Sequence, residues 1–263
     1  MKIIKNLFIL LFCMSFTGCD LLHFTMTYSP ELFNNDEPFI PDKYVLVYNA
    51  DFNGFINKQE WCIDFPWMMF HPYFPETGWY DPEQVRMTDT TVQLWTIFKP
   101  RTFWNEVNHD SVTINEAKGW MEFFPWLAGT EHSLSTNYYA AARIRQPIGD
   151  KQWNAFWFYS LTGIADEVDI MEYWDITKGR FTTNIHQNYK QKQRHHRIIN
   201  PTDFHIYSVW MTPDTIRFYF DGFNFRTEKI RMIEPMNIIL NNSYTPNLPS
   251  IMEVDWFKLY RKE

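Results

Sequence analysis

The sequence predicts an all-β fold, a sandwich or barrel built from many short strands. Three observations lead there. Segments rich in aromatic and β-branched residues recur along the chain, separated by turn chemistry such as PIGD, TPD and DGFN. No stretch carries sustained helical periodicity with caps. Aromatic residues make up 19% of the chain, including 12 Trp, and aromatic side chains favour strands. The 263 residues suit one large unit, since all-β domains often run to about 200–250 residues. The net charge of −7 argues against a nucleic-acid partner, which calls for a basic face.

The first residues read as a targeting segment. MKIIKN supplies positive charge, and LFILLFCMSF supplies an apolar run too short to span a membrane. FTGC then places small residues before Cys19. This is similar to a bacterial lipoprotein signal. The similarity implies cleavage before Cys19 and a lipid on its sulfur, with residues 1–18 as the signal peptide. The chain would then sit lipid-anchored in a bacterial cell envelope, on the periplasmic or extracellular membrane surface. Residues 19–42, with SPELFNNDEPFIPD near their end, read as a tether. Cys62 is then left alone and forms no intrachain disulfide.

A single domain is expected over residues 43–263. Its expected strands are, in order, YVLVY, TVQLWTIF, YYAAARIRQ, WNAFWFYS, EVDIMEYW, RFTTNIHQ, HIYSVWM, TIRFYFDG, MNIILNN and MEVDWFKLYR. Alternation along WNAFW puts Trp153, Ala155 and Trp157 on one face, and along TNIH it pairs Asn184 with His186.

The chemistry concentrates in ADEVDIMEYWD, residues 165–175. Five carboxylates crowd a segment whose other residues want a half-buried strand. Glu167 and Asp169 share a face, but Glu172 lies five positions from Glu167 and falls on the other by simple alternation. One extra residue in a β-bulge near Ile170–Met171 restores the parity. Glu167, Asp169 and Glu172 then form one row, with the apolar residues between them facing the core. Such a row suits glycoside hydrolysis, in which one carboxylate attacks and one carboxylic acid protonates the leaving oxygen. A third carboxyl between them separates the two pKa values.

EVDIME resembles the E-x-D-x-x-E signature of glycoside hydrolase family 16 in its bulged, laminarinase-like form. AARIRQP followed by WNAFW is similar to the family's strands before the catalytic one. DFHIYSV and TPDTIRFYFDG are similar to its later convex-sheet hairpin, and DFNG and MEVDWFKLYRK to its first and last strands. The resemblance implies a β-jelly-roll of two curved antiparallel sheets with a concave, concanavalin A-like cleft. It implies retaining endo-hydrolysis of a β-linked polysaccharide, with β-1,3-glucan as the first expectation. A β-galactan of the agar, carrageenan, porphyran or mucin type is the enzymatic alternative, and a non-catalytic surface glycan-binding protein the other. By motif position Glu167 is the nucleophile, Asp169 its assisting carboxylate and Glu172 the general acid/base. Trp153, Trp157 and His186 match residues that shape the family's cleft. The sequence departs from the family pattern at Asp166, Ala141, Asn154, Tyr138, Trp210–Met211 and the stretch NNSYTPNLPS, several of which are expected to border the cleft.

Further expectations follow from the residues around the motif. Trp174, just beyond Glu172, is a substrate-binding candidate. Trp79, Trp120 and Trp126 are expected in loops, in core or loop packing first, with added sugar subsites as the alternative. Asn241 either caps a strand or touches sugar. KQKQRHHR, residues 190–197, reads as a solvated hairpin loop, with contact to an anionic polysaccharide as the sharper alternative. No cofactor is required by the chemistry; a structural Ca²⁺ is left open, though no motif supports one. A monomer acting on a poly- or oligosaccharide is expected.

Overall fold

The computed structural model describes residues 36–64, 69–72, 77–125, 137–147, 153–160, 166–173, 180–188, 190–197, 203–232, 236–243 and 249–263. Its strands are β1 (Tyr44–Ala50), β2 (Trp61–Cys62), β3 (Trp79–Tyr80), β4 (Val85–Met87), β5 (Val92–Asn105) and β6 (Asp110–Lys118). They continue as β7 (Trp120–Phe123), β8 (Tyr138–Arg145), β9 (Trp153–Ser160), β10 (Glu167–Tyr173), β11 (Arg180–Gln187) and β12 (Lys190–Gln191). The last six are β13 (Arg194–Arg197), β14 (Phe204–Met211), β15 (Thr215–Phe220), β16 (Phe223–Lys229), β17 (Met236–Ser243) and β18 (Ser250–Lys262).

Two sheets form the expected sandwich. One runs β16-β15-β14-β8-β18-β5-β6-β3, with β1 beside β18 and β4 beside β5. The other runs β12-β11-β10-β9-β17-β7-β2, with β13 beside β11. All pairings are antiparallel except β3 with β6, which is parallel. AARIRQ and WNAFW, consecutive in sequence, lie in different sheets, because β8 pairs β14 and β18 while β9 pairs β10 and β17. DFNG is a turn after β1 rather than part of it.

Alternation explains how the sheets meet. Ala140, Ala142 and Ile144 of β8 face Phe156 and Phe158 of β9, Val168 of β10, and Ile238 and Leu240 of β17 in one buried cluster. Small residues on one sheet thus accept aromatic ones from the other, which keeps the core dense. The turn between β15 and β16 is made by Asp221 and Gly222, both at positive φ, as a tight hairpin requires.

Residues 36–42, within the segment read as tether, lie against the first sheet. Phe39 stacks on Tyr219 with ring centroids 5.0 Å apart, and Glu37 pairs with Lys258. Across the sandwich, buried Arg226 of β16 donates to the Thr183 carbonyl and hydroxyl and to the Lys192 carbonyl. It fixes β11 and the start of the basic run against the opposite sheet.

Candidate active site

The bulge in β10 lies where parity demands it. Against β9 the register runs Asp169↔Trp157 and then Met171↔Phe156, so one residue is extra. Against β11 it runs Asp169↔Asn184 and then Glu172↔Thr182. Ile170 and Met171 therefore both enter the core, together with Val168. Glu167, Asp169 and Glu172 all turn to the opposite face and line a cleft of about 370 Å³.

Neighbouring strands hold this row from both sides. His186 Nε2 lies 3.3 Å from Glu167 Oε1 and 3.5 Å from Asp169 Oδ2. Asn184 Nδ2 donates to the same nitrogen at 2.8 Å. The Asn184 orientation is set by its Oδ1, which accepts from the Ile185 backbone N–H. On the β9 side, Trp153 Nε1 donates to Glu172 Oε1 at 3.0 Å. Trp157 Nε1 donates to Asn241 Oδ1 at 2.8 Å, and its ring meets Trp120 edge to face.

Burial dominates the electrostatics. The Glu167 carboxyl is pushed up to about 8, first by desolvation and then by the Asp169 charge, against an opposing pull from His186. Desolvation also raises Asp169 well above the usual carboxylate range, with Glu172 repulsion adding to it. Glu172 is raised by the same burial, while the Trp153 hydrogen bond holds it back. Three carboxyls that close, with so little water, do not all ionise at neutral pH. The row therefore keeps at least one proton, shared among the three carboxyls rather than fixed on one of them.

The donor atoms of Glu167, Asp169 and His186 lie within 4.8 Å of one another, close enough for a cation to bridge.

The rest of the cleft is less legible from sequence. Trp120 is not in a loop: it opens β7 and lines the cleft beside Tyr80, Lys118 and Thr77. Alternation of Trp120 and Glu122 with buried Met121 and Phe123 was the available signal. Trp79 is core, on β3. Asn241 is a cleft residue as well as a strand residue. The basic run is not a plain loop, since β12 and β13 both pair with β11. Lys192 and Arg194 share one carboxylate, Glu228, with Arg226, while Gln191 and Gln193 reach the cleft. Trp174, Trp126 and Cys19 lie outside the described residues.

With this geometry in place, comparison with known proteins is informative. Residues 129–244 match the model of glycosyl hydrolases family 16. A curated relative, glucan endo-1,3-beta-glucosidase A1 of Niallia circulans, is 22% identical over 83% of the chain. The chain spans 38% of that relative's length. The laminarinase catalytic domain of Thermotoga petrophila superposes with a TM-score of 0.70 at 16% identity, covering 84% of this chain and 98% of that one. The kappa-carrageenase of Pseudoalteromonas carrageenovora, solved with an oligosaccharide, gives 0.64 at 18% identity, covering 90% and 100%.

The segment that matches the family model contains the bulged row, Trp153, Trp157, His186 and Asn241. The wall built by Tyr80, Lys118 and Trp120 precedes it in the chain.

The raised carboxyl of Glu167 has a stability consequence with a definite sign. A carboxyl at about 8 when folded and about 4.3 when unfolded holds a proton that the unfolded chain releases. Its contribution is present below pH about 4 and is lost as pH rises through the folded value. Glu167→Gln cannot ionise, so it avoids that loss. Its melting temperature is expected about 2–6 °C above the parent at pH 8, with no such gain at pH 5. Thermal scans at the two pH values check this, and an equal gain at both would contradict it.

Proposed function

We propose that this protein is a retaining, endo-acting glycoside hydrolase that cleaves a β-linked polysaccharide, β-1,3-glucan first. One observation carries the proposal: the β10 bulge brings Glu167, Asp169 and Glu172 into a single row on the cleft floor. In this reading the Glu167 carboxylate attacks the anomeric carbon while Glu172 gives its proton to the departing glycosidic oxygen. A glycosyl ester on Glu167 results. Glu172, now a carboxylate, takes a proton from water as that water attacks the anomeric carbon, and the bond from that carbon to Glu167 breaks, releasing the Glu167 carboxylate. Asp169, buried beside Glu167, shares a hydrogen bond with it and helps keep its charge separate from that of Glu172. Trp157 and Trp120 offer ring faces and edges for sugar rings. The chemistry needs no cofactor.

The glucan preference is supported by the relatives named for 1,3-glucan hydrolysis. A β-galactan is the second reading, supported by the likeness to a carrageenase. We also infer lipid anchoring at Cys19 in a bacterial envelope from the FTGC segment, which metabolic lipid labelling of the parent and Cys19→Ser would test.

The decisive screen is oligosaccharide release by the purified protein from laminarin, mixed-linkage glucan, agarose, porphyran, carrageenan and poly-lactosamine glycans, with Glu172→Gln as control. Release from laminarin that the control lacks supports the glucan reading. Release from a galactan alone replaces it with the second. Tight binding without turnover of any polymer would make the protein a glycan-binding module instead.

A further inference from the structure

We propose that Lys118 forms a recognition site for an anionic substituent, a sulfate ester or a carboxylate, carried by the glycan in the cleft. The inference rests on the glycan-hydrolase reading and adds a substituent to its substrate.

Lys118 ends β6, where the chain crosses from one sheet to the other. Its backbone is held on both sides, opposite Thr96 of β5 and Tyr80 of β3. The next residue, Gly119, sits so close to the Gln84 carbonyl that an added Cβ would approach it to 2.6 Å. The corner is therefore tightly packed beside the lysine. Its side chain lines the cleft wall although the residue is only 2% exposed. Nζ donates to Thr77 Oγ1 at 3.2 Å. It lies 4.7 Å from the centroid of the Tyr80 ring and 5.6 Å from that of Trp120.

Among the described residues no carboxylate pairs with this ammonium. The nearby acids are occupied: Asp81 binds Lys99 and the Gln84 amide, and Glu122 accepts from Asn237. Desolvation, with no opposing charge, pulls the Lys118 amine down to about 7. Keeping an unpaired ammonium at a buried position is costly, and a methionine would fill the same space without that penalty. Two ring faces supply part of the missing stabilisation. An ammonium has three donors, and Thr77 takes one. An anionic oxygen reaching this wall would supply both the counter-charge and acceptors for the others, as a charge-assisted contact. Neutral sugar hydroxyls supply only the latter. The basic run is a weaker candidate for the same role, because its residues lining the cleft are Gln191 and Gln193 while Lys192 and Arg194 are solvent-exposed and already paired with Glu228.

The test is calorimetric binding to the Glu172→Gln protein, so that turnover does not interfere. The probes are neutral laminari-oligosaccharide, its sulfated derivative and its C6-oxidised uronate derivative. A second pair, a sulfated carrageeno-oligosaccharide and its desulfated form, separates a wrong backbone from a wrong site. An anionic probe is expected to bind about tenfold more tightly than its neutral counterpart, a difference typical of one charge-assisted contact. Adding Lys118→Met should reduce that advantage to less than about twofold. Lys118→Gln serves if the Met variant does not fold. An advantage for the sulfated or the oxidised probe alone identifies the anion. An advantage on the galactan pair alone supports the site and overturns the glucan backbone. Equal affinity for neutral and anionic probes on both backbones, or an advantage that survives loss of Lys118, overturns the proposal. Hydrolysis by the parent protein is scored separately, so failure of the enzyme reading stays distinct from failure of this site.

Discussion

Glu167→Gln is expected to lower the hydrolytic rate by about 10³–10⁵-fold while the protein stays folded. An amide oxygen is a poor nucleophile, and no other group stands at that place on the row. Asp169 is deeper in the sheet, and Glu172 lies beyond the bulge against Thr182 and Ala155. The substitution keeps the side-chain shape next to His186, so binding should change far less than turnover. Reducing-end release over long incubations gives the residual rate, and the pH-dependent melting behaviour described above gives the folded state. Activity within tenfold of the parent would remove Glu167 from the nucleophile's role.

Glu172→Gln is expected to show a loss that depends on the leaving group. On a polysaccharide the departing sugar alkoxide needs the Glu172 proton, and the rate should fall about 10²–10⁴-fold. On an aryl glycoside whose phenolate leaves without protonation, the first step should be nearly preserved, and release from the glycosyl ester should become limiting. A burst of phenolate followed by slow turnover is the expected trace, and azide should speed the slow phase by attacking in place of activated water. Equal losses on both substrates would mean that Glu172 does something other than proton transfer. The acid role comes from motif position; Glu172 is buried, its carboxyl is raised and Trp153 fixes one oxygen, but Glu167 is raised as well, so this trace rather than burial assigns the role.

Much of this site was legible because it obeys local rules. β9 and β11 coincide with WNAFWFYS and RFTTNIHQ, whose alternation is uninterrupted. The bulge followed from counting: five positions separate two acids that chemistry needs on one face. Other elements depend on partners that sequence does not display. β6 carries Asp110, Asn115, Glu116 and Lys118 and reads as polar, yet the long hairpin with β5 makes it a strand. The basic run becomes strand only through its register with β11, such as Arg194 opposite Thr183. Lys118 gives no local signal at all. Its burial is produced by the parallel contact with β3 and the crossover at Gly119, which gather Thr77, Tyr80 and Trp120 around it.

The most direct test of the catalytic row is the anomeric configuration of the first product, followed by proton NMR as the purified protein acts on the polymer it degrades. Attack by Glu167 and then by water inverts the anomeric carbon twice, so the β-anomer is expected to appear first, with α growing in only by mutarotation. Early accumulation of the α-anomer would mean a single displacement by water, and Glu167 would then not be the nucleophile.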